Sequence, residues 1–223
     1  MNTRYRQSDF WNAIVYPYRR KQGLLNILWL FIPIVGWLFL IGYVTRIVQS
    51  FCEGKVKELP EAKAVDHIGT GFFILIKSLP FTIIYGLVAL SLAATPAVFL
   101  VYLFGYVAAP FLGIHFLYHE RAGAYFEWGI FRHAYNHAAE YFLAVGKTYL
   151  LMAVYTGIHF MIMVPVIGIL LIKNSPESLL SAGELILPIF FFAVVFLAAL
   201  AANMFTPNIF IATFYRRRIL RKR

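Results

Sequence analysis

Acidic residues and cysteines are what this sequence is short of. Ten Asp and Glu stand against 20 Lys and Arg in 223 residues, and Cys52 is the single cysteine. One thiol excludes an intramolecular disulfide and a cysteine-only metal cage. Charge of either sign is scarce, at 13% of positions, while 61% are hydrophobic; an ordinary soluble domain has about a quarter and about half. A water-soluble fold could not hide so much apolar surface. The sequence also lacks a Gly-rich phosphate loop, a Gly-x-Ser-x-Gly elbow, a His-Glu-x-x-His helix and paired carboxylates at catalytic spacing. Nucleotide, acyl and glycosyl chemistry therefore miss their usual residues, and no catalytic residue is assigned.

The apolar residues come in blocks. Leu24 to Thr45, Ser78 to Tyr118, Thr148 to Ile172 and Leu185 to Tyr215 contain no Asp, Glu, Lys or Arg. Crossing a ~30 Å hydrocarbon core takes about 20 helical residues. The second block is twice that, with Thr95-Pro96 near its middle, and reads as a helical hairpin over 78–118. No block alternates apolar and polar residues as a barrel strand would. The expected fold is all-α: a polytopic helical membrane protein forming one membrane domain over 1–223, with spans at 148–172 and 185–215 after the hairpin. The first block is longer than a signal-peptide core and no small-residue cleavage site follows it, so it is expected to stay in the mature chain.

The net charge of +10 reads first as topology. If the block 24–45 dips in and returns, 19 of the 20 basic residues share the cytoplasmic side and only Lys173 lies outside. If it crosses, the best arrangement leaves 14 inside and six outside. The positive-inside rule favours a re-entrant or interfacial segment, broken at Ile32-Pro33-Ile34-Val35-Gly36, over a fifth span. The segment 173–184 then faces outward, and the basic tail 216–223 faces the cytoplasm. Within 1–23, Phe10, Trp11, Ile14, Val15 and Tyr18 form an amphipathic stripe that Ser8 or Asp9 could cap. It lies either on an anionic membrane surface or against the protein itself.

Tyr16-Pro17-Tyr18, Ile32-Pro33-Ile34-Val35, Gly42-Tyr43 and Leu59-Pro60-Glu61 resemble the opening third of the prokaryotic membrane family called domain of unknown function 4013. The resemblance implies a multi-span protein of a prokaryotic inner membrane. It carries no activity and no catalytic residues.

Four of six histidines form two His-x3-His pairs, His115 with His119 and His133 with His137, near Glu120 and Glu140. At i and i+4 both imidazoles of a pair share one helix face, so His115, His119, His133, His137 and Glu140 could hold a metal ion, or facing histidines a haem. Such histidines could instead face headgroups or bond backbone carbonyls, and this reading is preferred. Counted from Lys147 and from Arg216, His159 and Asn203 fall at matching depth in neighbouring spans and could pair, as helix-to-helix glue or along a translocation path. The tail residues Arg216, Arg217, Arg218, Arg221, Lys222 and Arg223 suit anionic lipid. The expected partners are the bilayer, anionic lipid and other membrane subunits, not nucleic acid. The leading expectation is a noncatalytic membrane subunit or assembly factor, with a metal or haem redox protein and a small transporter or channel as alternatives.

Overall fold

In lipid, a chain must satisfy its backbone hydrogen bonds within each segment, and helices do this. The computed structural model describes residues 10–20, 23–55, 59–173 and 182–220, and for 166, 169–173 and 182–189 the backbone alone. The α-helices among these residues are α1 (Phe10–Val15), α2 (Val35–Glu53), α3 (Ala64–Leu92), α4 (Val98–Val107), α5 (Ala109–His119), α6 (Phe131–Asn136), α7 (Ala138–Lys173), α8 (Ala182–Phe205) and α9 (Ile209–Arg218). Short 3-10 segments cover Tyr16–Tyr18, Leu24–Phe31, Ala122–Phe126 and Trp128–Ile130. The fold is all-α and polytopic. Four segments are long and apolar enough to cross a bilayer: α2, α3, Ala138–Pro165 of α7, and Phe190–Arg218 across α8 and α9. Helices α4 and α5, bent by 47° to each other, make a fifth if they form one span.

The first hydrophobic block breaks at the expected place. Proline disfavours helix in the residue before it, and Ile32 is extended, at φ −99° and ψ 104°. Ile34 then takes φ 62°, a costly conformation for a β-branched residue, and α2 starts at Val35. The chain doubles back here: the Trp29 ring stacks on Phe39 at 4.5 Å, and Gly36 lies so close to the Trp29 carbonyl that a Cβ would sit 1.7 Å from its oxygen. At the root of the two limbs, the Arg20 guanidinium donates to the Leu59 carbonyl at 2.9 Å.

Two boundaries differ from those expected. Helix α2 does not stop at Thr45 but runs through Arg46 to Glu53, because Thr45, Ile47, Val48, Phe51 and Cys52 keep burying one face while Arg46 stays outside and bonds Gln49. The return limb is therefore itself of span length. Helix α3 begins at Ala64 rather than near Ser78, since the one charge in its interior, Lys77, is satisfied by the Glu120 carbonyl at 2.7 Å. Leu59 is fully buried, and the Pro60 carbonyl accepts from the Tyr43 hydroxyl at 3.2 Å.

Helix α2 is the centre of the protein, with 61% of its apolar window buried, whereas α3 has 6%. The two cross at a pair of glycines. A Cβ on Gly42 would lie 1.9 Å from the His67 carbonyl oxygen, and one on Gly71 would lie 1.8 Å from that of Leu38. The stripe divides: Phe10 stacks on Phe210 at 6.0 Å and the Tyr155 hydroxyl donates to the Ile14 carbonyl at 3.3 Å, whereas Trp11 and Tyr18 are exposed; Tyr16, outside the stripe, is fully buried against Phe51. The expected caps of the stripe, Ser8 and Asp9, lie outside the described residues.

The last hydrophobic block is interrupted at Thr206-Pro207-Asn208, where α8 ends and α9 begins. The break leaves the Pro207 carbonyl outside both helices, and Thr148 of α7 supplies a partner, its hydroxyl donating to the Pro207 oxygen at 2.9 Å. Asn208 precedes α9 without capping it through its side chain. Thr148→Val keeps the shape and removes the donor, so thermal unfolding in detergent should show a loss of about 1 kcal/mol. Unchanged stability would mean that the carbonyl finds another partner.

Candidate functional site

Helix α5 carries His115 and His119 one turn apart, with ring centroids 4.6 Å apart. Its C-terminus is pinned from two sides. Gln49 of α2 donates to the Leu117 carbonyl at 3.1 Å and to the Glu120 carboxylate at 2.6 Å, while Lys77 of α3 holds the Glu120 carbonyl. Glu120 adopts φ 51° and ends the helix. The chain then turns back through two short 3-10 segments, which bring Glu127 onto His115.

The result is a buried polar chain. Glu127 accepts from Nε2 of His115 at 2.9 Å, Nδ1 of His115 meets the Tyr215 hydroxyl at 2.6 Å, and that hydroxyl meets Nε2 of His119 at 3.2 Å. His115 is 2% exposed and Tyr215 fully buried. Chemistry orders the protons. The carboxylate only accepts, so Nε2 of His115 carries hydrogen; in the tautomer with Nε2 alone protonated, Nδ1 accepts from the Tyr215 O–H, whose oxygen accepts from His119. One polarised line thus runs from a carboxylate at the surface to the centre of the helix contact between α5 and α9. Arg121 also pairs with Glu127.

The hydrogen bond from His115 is the first cause that holds the Glu127 carboxyl below its usual range, and the neighbouring Arg121 guanidinium lowers it further. Burial beside Phe81 and Phe116 pushes the Tyr125 phenol up to about 12, so it stays neutral. Because the folded pKa of Glu127 is lowered, its stabilisation is complete above the unfolded value, about 4.3, and is lost as pH falls through the folded value. Acid unfolding of Glu127→Gln should therefore depend less on pH below about 4.3 than that of the parent chain. Parallel acid profiles would refute the ion-paired geometry.

A cavity of about 730 Å³ opens beside this chain, lined by His115, His119, Glu127, His133, Trp128 and Leu220 among others. Three of the four paired histidines thus meet in one place. Among the described residues, no group of three or more His, Cys, Asp or Glu is placed to hold a metal ion. Both ring nitrogens of His115 are already used, Glu140 is bonded by Arg218 at 3.0 Å, and Glu120 is held by Gln49. His137 is not among the residues lining the cavity. His115 and His119 are neighbours on one helix rather than facing each other, which does not suit axial ligation of a haem.

His159 and Asn203 do not share a depth. Thr148 meets Pro207 and His159 packs on Phe196 at 4.8 Å, so this register puts Asn203 opposite position 152, about 10 Å along α7 from His159. The count from Lys147 misled because that lysine does not mark the helix end: α7 starts at Ala138, and Lys147 lies over the Phe210 ring at 5.9 Å. Nε2 of His159 and Oδ1 of Asn203 are each buried without a hydrogen-bond partner.

Of the six basic residues read as lipid-facing, Arg216 packs on Gly54 at the end of α2, Arg218 pairs with Glu140, and Arg217 is exposed. Arg221, Lys222 and Arg223 lie outside the described residues. Sequence reading missed Glu127 and Tyr215, the two groups that complete the polar chain. Tyr215 lies 100 residues from His115 and looks like the end of a span, so no local pattern connects them. The chain matches no protein-family model, no curated protein and no solved structure.

Proposed function

We propose that the protein is a noncatalytic subunit or assembly factor of a larger complex in a prokaryotic inner membrane, with its C-terminus in the cytoplasm. One observation carries this reading. The α3–α4 hairpin is nearly all periphery: 6% of the α3 window is buried, although the body already has its own packed centre in α2. Along α3, Ser78, Thr82 and Gly86 recur every four residues, Thr82 and Gly86 are exposed, and nothing approaches within 4 Å of a Cβ placed on Gly86. Small residues on an exposed membrane helix let a second helix approach closely, which is how helices associate where burial in lipid offers no driving force. The His115–Tyr215 chain supports the same reading, because its groups are spent on joining α5, the 120–130 loop and α9.

The resemblance to domain of unknown function 4013 belongs to this proposal and adds no activity. Anionic lipid at the cytoplasmic end and partner subunits in the membrane are the proposed contacts. The test is purification from native membranes in mild detergent. A stoichiometric partner should co-purify, and Gly86→Leu should release it while leaving the chain folded. A protein that runs as a free monomer with no partner would overturn the proposal.

A further inference from the structure

The cavity of about 730 Å³ beside the His115–Tyr215 chain has two unlike sides. Phe126, Trp128 and Leu220 make one side apolar, and His115, His119, Glu127 and His133 make the other polar. The aromatic side continues onto the peripheral helices. The Phe126 ring meets Phe81 of α3 at 6.3 Å and the Trp128 ring meets Phe104 of α4 at 5.8 Å, both within the uncharged block 78–118. Phe126 and Trp128 themselves stay 40% and 52% exposed. On the polar side most groups are already engaged. His115 uses both ring nitrogens, His119 meets the Tyr215 hydroxyl, and Glu127 is taken by His115 and Arg121. His133 differs: it is half-buried on α6, and among the described residues neither of its nitrogens has a hydrogen-bond or ion-pair partner.

We infer that this cavity seats the headgroup of a lipid-soluble quinone, its ring against Phe126 and Trp128 and one carbonyl accepting from His133. The lining selects a neutral occupant. An anionic head would lie beside the Glu127 carboxylate, which is held ionised at neutral pH. A cationic head would find that carboxylate engaged twice already. An uncharged acceptor fits what is left, because an imidazole N–H donates to a carbonyl. A flat ring gains from aromatic walls more than its buried area alone supplies. Its hydrocarbon tail leaves toward Phe81 and Phe104, where the surface is apolar. The volume lies in the ~300–1,000 Å³ range of small-molecule and cofactor sites, which likewise set a few polar groups among apolar walls. The His115–Tyr215 chain keeps its structural bonds throughout, so the site binds the quinone and carries out no step on it. It requires that the helices lie in a bilayer, and it forms with or without the partner subunit proposed above.

The test uses the full chain in detergent, incubated with decylubiquinone and analysed by native mass spectrometry. One decylubiquinone per chain should be retained, about tenfold or more over decylbenzene, which has the same tail and no carbonyl. Gly129→Leu should lower retention about tenfold by filling the cavity, which Gly129 lines; nothing lies within 4 Å of a Cβ placed there, so the chain has room to fold around it. His133→Ala, on a half-buried residue, serves if Gly129→Leu fails to fold, and should lower retention about fivefold. His137→Ala, outside the lining, and Arg221→Gln, Lys222→Gln and Arg223→Gln together should each change it less than about twofold. Decanoate and phosphatidylglycerol, which carry an anionic head on a similar tail, should leave the quinone bound. Equal retention of decylubiquinone and decylbenzene, full retention in both Gly129→Leu and His133→Ala, dependence on the three tail cations, or displacement by either anion would each overturn the inference. Co-purification of a partner is read separately, so either conclusion can fail without the other.

Discussion

Gly71→Ala is expected to destabilise the protein by about 3 kcal/mol or more and to remove most folded material from membranes, and Gly42→Ala to do nearly the same. A methyl on Gly71 would lie 1.8 Å from the Leu38 carbonyl oxygen, and one on Gly42 would lie 1.9 Å from that of His67. The obstructing atoms are backbone, part of the helical ladder on each side, so no side-chain rotation can relieve the clash. The helices would have to separate by more than an ångström along the contact that anchors α3 to the centre of the fold. Overpacking typically costs ~1–3 kcal/mol when side chains can adjust, and this site lacks that freedom. Gly69 and Gly86 are the controls, since nothing lies within 4 Å of a Cβ at either. Gly69→Ala and Gly86→Ala should be neutral or slightly stabilising in the same helix, where alanine is favoured by about 1 kcal/mol. If unfolding in mixed micelles showed Gly71→Ala behaving like Gly86→Ala, the close crossing of α2 and α3 would be wrong.

Tyr215→Phe should cost about 2–3 kcal/mol, far more than loss of a hydroxyl from a surface tyrosine. The ring contacts survive, including Phe111 at 5.9 Å, but Nδ1 of His115 and Nε2 of His119 lose the same oxygen at once. Leaving a buried polar group unsatisfied is what makes such losses expensive. Tyr118→Phe, on a half-buried neighbour of the same ring cluster, should stay within about 0.5 kcal/mol. A second readout separates the polar chain from mere packing. In ¹⁵N spectra, Nε2 of His115 should carry a proton, and Tyr215→Phe should shift the Nδ1 resonance. A doubly protonated His115 in the parent protein would reverse the order of donors derived above. Neutral stability of Tyr215→Phe would mean that the hydroxyl is not shared between the two rings.

What could be read along the chain was set by groups acting on their own neighbours. The four uncharged blocks and the break at Ile32-Pro33-Ile34 follow from hydropathy and from proline's missing N–H, which need no partner from elsewhere. The His115 and His119 pair was visible because i and i+4 share a helix face. The errors came where a charge was read as an end. Arg46, Lys77 and Lys147 each lie inside a helix, because Gln49, the Glu120 carbonyl and the Phe210 ring meet them there.

The sequence by itself therefore determined that the chain is helical, rich in span-length apolar segments and broken at Pro33, since each of these is a local cost or gain. Only the tertiary structure decided that Glu127 and Tyr215 meet the two ring nitrogens of His115, and that Gly42 and Gly71 are where α2 and α3 touch. It also decided that His159 and Asn203 are out of register. The physical reason is common to all three: hydrogen bonds and close contacts form between atoms that are near in space, and their spacing in the chain sets no limit on which residues 29, 44 or 100 positions apart will meet.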